Sequence, residues 1–541
     1  TTGTENTSVG NSANSNSTGN YNTTLGYQSN FYNVTGNNNT AIGRKALFGA
    51  SGQSNSNNTA VGFNALTNVT DGGSNTAVGM QAGNNLETGG QNVFVGTNAG
   101  YNATGSQENA VVIGYNAGYQ NFNSATVYVG RYAGYSGTGH IGTGNIGIGY
   151  HALFTNSSTD VEGMKWNIAI GRSAMGAAGS SHGAAHSNVA IGYYALQNIE
   201  SGSRNVAIGG QQGGGDGGTG EYLKNGDDNV FVGSKAGYGI DSGNIHSSDN
   251  VFIGSNAGGN QNGVDGNVGV GYKALVFARG NYSVAIGYEA GDHASGSYNT
   301  FVGGYAGQGG TTSAPYSSGE NNVAVGYQAL DAFTTADDVV AIGRSAGTAI
   351  TTGGYHVLIG SGAGQSLTGG NYTTHVGYRA ARYNTGAYNT SLGHGALLGV
   401  SGTSTGGNNV AVGYNALTAL TTGTGNTAVG YLALNDNTSA GNNVAVGADA
   451  SHKGTTANKN VAIGNLASYF NETGVYNVSV GYEALKGVSG QSHNNNVAIG
   501  YQSMYPLTTA ASNVGVGYQT LRAITSSGSN TGVGGQAGYS V

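Results

Sequence analysis

The chain has no cysteine, two prolines and one tryptophan among 541 residues, and only 8% of it is charged. Without cysteine there are no disulfides and no thiolate metal sites. The 17 Lys and Arg and the 24 Asp and Glu give a net charge of −7, thinly spread. Nucleic-acid surfaces need clustered positive charge, and the sequence holds no run of Lys or Arg, so no nucleic-acid partner is expected. No stretch approaches the ~20 apolar residues of a membrane-crossing helix, so no membrane span is expected. The opening Thr1-Thr2-Gly3-Thr4 does not read as a signal peptide.

Glycine is abundant, at 103 residues. It has no three-residue period, which excludes collagen. It recurs instead at the end of a short phrase: Asn75-Thr76-Ala77-Val78-Gly79 returns as Asn426-Thr427-Ala428-Val429-Gly430 and as Asn496-Val497-Ala498-Ile499-Gly500. From Gly10 to Gly534 the phrase can be marked 30 times, most often 17 residues apart, at least 16 and at most 24. A fixed short period is the signature of a solenoid, and it outranks the several globular domains that length alone suggests.

Two β-branched residues flank a small one in each phrase, which suits a short strand. Val206 and Ile208 share one face and Ala207 takes the other. The β-branched pair is expected inside, and the Ala207 type outside. The recurring glycine marks a bend that needs positive φ or close backbone approach. After two intervening residues comes a small residue, often alanine (Ala46, Ala65, Ala82), then Leu or Gly, expected to form a second strand or a corner. The fold class is therefore all-β: a parallel β-solenoid of about 30 coils of roughly 17 residues, one continuous repeat domain over 1–541. The asparagine before each strand is expected to stack into an amide ladder.

A coil of this size buries few aliphatic side chains. Lateral association of identical chains through the small Ala207-type face is therefore expected, as a homotrimer or bundle. Neither end of the sequence shows an atypical capping repeat. The expectation is that the sequence is part of a longer chain, or that its ends stack head to tail into a filament.

Several motifs look chemical. Gly343-Arg344-Ser345-Ala346-Gly347 matches G-x-S-x-G, but the repeat already dictates its glycine and alanine. Gly142-Thr143-Gly144-Asn145-Ile146-Gly147 matches G-x-G-x-x-G without the helix a dinucleotide site needs. The acidic loop around Asp216, Asp227 and Asp228 offers carboxylates for calcium, without the spacing of a known calcium loop. Further insertions carry Asp160, Glu162 and Trp166, His182 and His186, Asp241 and Asp249, and Pro315 with Tyr316; they read as surface slack. No catalytic residue, metal ligand or cofactor is expected. A polysaccharide-cleaving solenoid would need converging acids, and acids are sparse here. Tyrosine often follows the marker glycine (Tyr27, Tyr115, Tyr288, Tyr414, Tyr431, Tyr482, Tyr501, Tyr518). This stripe and the insertion loops are the candidate surface for a glycan or receptor, against the plainer reading of rings stacked on one another.

The copies Asn188-Val189-Ala190-Ile191-Gly192, Asn205-Val206-Ala207-Ile208-Gly209 and Asn460-Val461-Ala462-Ile463-Gly464 resemble the head repeat of YadA-like trimeric autotransporter adhesins. Asn322 to Leu330 also resembles repeats of phage tail fibres and bacterial surface proteins. The resemblance implies a left-handed β-roll, three chains around one axis and attachment at a cell or virion surface, with no catalytic residues to carry over. The expected role is a structural, self-associating extracellular rod.

Overall fold

The computed structural model describes residues 3–120, 122–137, 141–155, 164–176, 185–210, 217–239, 247–260, 263–277, 279–522 and 524–539. The chain forms two compact units, Thr1–Val276 and Phe277–Val541. Each is a parallel β-solenoid of fifteen strands, running from Thr7–Val9 to Val268–Val270 in the first and from Val284–Ile286 to Thr531–Val533 in the second. No helix occurs among the described residues. Consecutive strands within a unit pair in parallel with no slip, so like residue meets like: Val189, Ala190 and Ile191 lie against Val206, Ala207 and Ile208. A single repeated phrase forces this register, because any shift would place the bulky flanks against the small centre.

Most strands are three residues long. The segment after the marker glycine is a corner, not a second strand. It is still tied from coil to coil. The Leu432 N–H donates to the Tyr414 carbonyl (3.0 Å), and the Leu434 N–H to the Ala450 carbonyl (3.0 Å). Corners of this kind satisfy backbone groups that a loop would leave to water.

Inside and outside are reversed from the sequence expectation. Ala207 is fully buried, while Val206 is half-buried and Ile208 is 38% exposed. The pattern holds along both units: the central strand residue points in and the β-branched flanks point out. The reason is the width of the coil. Its interior is filled by four columns: the strand's central residue, often alanine; the small residue three after the glycine; the leucine or glycine after that; and, in many coils, an apolar residue seven after the glycine. In one coil these are Ala411, Ala416, Leu417 and Leu420, all fully buried. Two alanines against two leucines fill the space, and a second pair of branched side chains would overfill it. The argument for lateral association from an outward alanine face therefore falls. The fourth column, with Val69, Leu86, Ile199, Phe333, Ile350 and Leu507, was not read from the sequence.

One exchange within the columns conserves volume. Where the central residue is aromatic, the leucine position of the same coil is glycine: Phe94 with Gly100, Tyr128 with Gly134, Phe231 with Gly237, Phe252 with Gly258, Phe301 with Gly307. A Cβ on Gly100 would stand 2.5 Å from Phe94 Cδ1, and one on Gly237 2.6 Å from Phe231 Cδ1. The ring occupies the space that leucine fills elsewhere.

The marker glycine is required twice over. Gly447 has φ +136, outside what side chains with a Cβ adopt, and a Cβ there would stand 2.6 Å from the Gly464 carbonyl oxygen on the next coil.

Candidate functional surfaces

The asparagine ladder is structural. The backbone N–H of Asn75 donates to Asn58 Oδ1 (2.9 Å), and the Asn75 side-chain amide donates to the Gly89 carbonyl (2.9 Å). Asn92 in turn donates its backbone N–H and its amide to Asn75 Oδ1 (3.0 Å each). Each asparagine thus satisfies a backbone donor of the next coil and a carbonyl of the adjoining turn. The side chains are buried, so no ligand reaches them.

The tyrosines after the marker glycine are exposed, Tyr414 at 48% and Tyr518 at 53%. Their faces are largely taken by each other. Tyr482, Tyr501 and Tyr518 stack at 5.3 and 5.4 Å with planes 12° and 11° apart, and Tyr378, His394, Tyr414 and Tyr431 form a second run at 5.2, 5.0 and 5.5 Å. Such stacks stabilise the coil-to-coil contact and leave ring edges and hydroxyls outward. A second tyrosine file, missed in the sequence, occupies the position before the asparagine: Tyr355, Tyr372 and Tyr388 stack at 5.0 and 5.6 Å.

The motif residues resolve into the repeat frame. Asn145 of the glycine-rich match belongs to the ladder, accepting from the Asn167 backbone N–H (3.0 Å), and Gly147 is an inward central residue. Asp216, Asp160, Glu162, His182 and Asp241 lie outside the described residues. Asp228 is held by Arg204, whose Nε and Nη2 donate to its two carboxylate oxygens at 2.7 Å each, and this contact lowers the Asp228 pKa. Asp227 accepts from the Ser203 backbone N–H (2.7 Å). Among the described residues no group of three His, Asp or Glu side chains could hold a metal. Ser345 lies in a corner, and the residues lining the recess around it include neither a histidine nor an acid.

The outward strand flanks make the most extensive surface. Within each unit every coil adds two outward residues, nearly all Val, Ile or Thr, in register with the last. Ile208, Ile253, Ile286, Ile463 and Ile499 are 38 to 43% exposed. At about 4.8 Å per coil the fourteen steps of one unit extend roughly 70 Å, and a stripe about 10 Å wide presents on the order of 700 Å². The largest apolar patch of an ordinary monomer is about 300–600 Å². No helix is long and apolar enough to cross a membrane among the described residues.

No protein-family model matches the chain, and no curated protein matches it either.

Proposed function

We propose that the chain is a structural, fibre-forming repeat protein whose copies associate side by side through the outward Val/Ile/Thr stripe. The role is that of a rod for attachment or scaffolding in an extracellular filament, surface adhesin or tail fibre. The observation that carries the reading is the aliphatic ladder itself, repeated on every coil with no described element laid over it. One unit's stripe, about 700 Å², is close to the ~800 Å² that one partner contributes to a standard interface. A second copy of the same chain offers a face of the same pitch, so its ridges and grooves match without adjustment. Apolar burial then supplies what an alanine-rich interior cannot.

The test is assembly of the chain and of a variant with Ile191→Asp, Ile208→Asp and Val232→Asp. These side chains point outward, so the coil interior is untouched. Sedimentation of the parent at micromolar concentration is expected to show oligomers, and electron micrographs are expected to show rods. The variant is expected to sediment as a monomer with unchanged circular dichroism. A parent that remains monomeric, or a variant that assembles equally well, overturns the reading.

A further inference from the structure

Arg344 meets Arg379 and Arg382, 35 and 38 residues further along the chain (379 − 344 and 382 − 344), at one recess. Successive coils place Arg344, Ser361 and Tyr378 in the first position after the marker glycine, and Ser345, Gly362 and Arg379 in the second. Gln365 and Arg382 share the fifth position. The middle coil carries Ser361-Gly362 where its neighbours carry Arg344 and Tyr378-Arg379, so a dent of about 150 Å³ opens between large side chains. That is room for roughly five waters at their liquid volume.

Its lining is polar and unsatisfied. Arg344, Arg379 and Arg382 form no ion pair with any described residue, and neither the Ser345 and Ser361 hydroxyls nor the Gln365 amide is hydrogen-bonded. Arg382 is half-buried, and its Nε is shielded from solvent without a partner. The guanidiniums of Arg379 and Arg382 lie over Tyr378 and Tyr383, 4.9 and 5.1 Å from the ring centres, which limits their freedom. In a chain with 17 basic residues and net charge −7, three uncompensated cations at one dent are a marked local excess.

We infer that this recess binds a tetrahedral oxyanion, sulfate or phosphate, as the free ion or as an ester on a larger molecule such as a polysaccharide. Guanidinium forks match such anions with paired N–H donors, and a dianion offsets the mutual repulsion of the three cations. Serine hydroxyls and the Gln365 amide complete the donor set without adding negative charge. The inference does not rest on side-by-side association of the chains.

Titration calorimetry on the full chain tests it, with inorganic phosphate, sodium sulfate, sulfated dextran and neutral dextran as probes in 0.1 M NaCl. Two variants accompany it. Arg379→Gln with Arg382→Gln removes charge, and Ser361→Tyr fills the dent with the residue type that its column carries at Tyr378. Both changes lie on the surface, and unchanged melting verifies the fold. Saturable binding of one anion per chain is expected, weakened at least ten-fold in each variant, with none for neutral dextran. Inorganic ions binding as tightly as sulfated dextran assign the free ion. Sulfated dextran binding more tightly, and displaced by excess sulfate, assigns the ester. Absence of binding by all charged probes, or equal binding by the parent and both variants, overturns the inference.

Discussion

Exchanging Phe94 and Gly100 for alanine and leucine, the pair that coils such as those of Ala60 with Leu66 and Ala411 with Leu417 carry, tests the packing rule at its most specific point. Phe94→Ala alone empties a fully buried ring site and should cost about 3–5 kcal/mol. Gly100→Leu alone drives a side chain into that ring, since even a Cβ would stand 2.5 Å from Phe94 Cδ1. Overpacking of this kind costs about 1–3 kcal/mol or more. The backbone does not object to leucine: Gly100 has φ +61, and Leu66 and Leu417 hold the same coil position at φ 49 and 56. In the double variant the leucine returns about four of the ring's six carbons. The deficit is roughly two carbons, about 1.6 kcal/mol at about 0.8 kcal/mol each. The single costs sum to about 4–8 kcal/mol, so the two changes should couple favourably by at least about 2.4 kcal/mol, roughly 60-fold in a local opening constant. Hydrogen exchange of the Val95, Gly96 and Ala99 amides reports that constant directly, which matters because long repeat arrays need not unfold as one unit. Additive costs in the double variant would refute the claim that ring and leucine compete for one volume.

The buried histidines make stability fall with acid. Burial lowers the pKa of His356 and of His493 to about 4 and that of His375 to about 3, while an unfolded chain titrates near 6.5. The native state thus refuses protons that the unfolded state accepts. Stability is constant above pH 6.5 and falls below it by about 1.4 kcal/mol per pH unit per histidine until the folded pKa is reached. Restoring the column residues with His356→Asn and His375→Ala should remove about two thirds of the loss between pH 6.5 and 5; denaturant midpoints at those two pH values decide it, and an unchanged slope counts against the assignment. Gly447→Ala should destabilise its coil by about 3 kcal/mol, through φ +136 and the Gly464 carbonyl; wild-type exchange protection in that coil would contradict this. Asn443→Ala orphans the Asn460 backbone N–H and the Ala457 carbonyl. At about 1–3 kcal/mol per buried orphan it should cost several times what Asn465→Ala costs at an exposed rung, read by thermal melting.

The period, the strand and the bend were legible because each is written in consecutive residues. Asn-Val-Ala-Ile-Gly defines a strand, and the recurrence of Gly447, Gly464 and Gly481 defines the coil. The sidedness of the strand was not legible. Alternation says that Val206 and Ile208 lie opposite Ala207, but which side is inside depends on the distance across the coil, and Leu196, Ile199 and the corner set that distance. β-branched preference pointed the wrong way, because Val and Ile suit a pleated surface whichever face is covered. The Phe94–Gly100 exchange was visible in the letters but had no meaning until both positions were known to point inward. The arginine recess was hidden for a different reason. Arg344 and Arg379 are 35 residues apart (379 − 344), and only stacking coils in columns brings them together.

Perfect repetition makes every position a ladder, and a ladder has no unique place on it. Function that needs one address must therefore come from broken rungs. One stretch of such breaks runs from Asp337 to Arg382. There the strands Asp337–Ile342 and Gly354–Ile359 lengthen to six residues. The asparagine column is replaced by Val339, His356 and Thr373, with His356 Nδ1 and Thr373 Oγ1 2.8 Å apart. The central alanine column is replaced by Leu358 and His375. The first-position aromatic file gives way to Arg344 and Ser361, and the arginine recess opens on the same coils. Three columns thus change within three turns of the chain. If the regular coils provide length and side-by-side contact, this stretch, with its arginine recess, provides a distinguishable point. The Arg379→Gln, Arg382→Gln variant should then lose anion binding while assembling as the parent does, whereas the Ile191→Asp, Ile208→Asp, Val232→Asp variant should do the opposite. Loss of both properties in either variant would mean that recess and stripe are one surface.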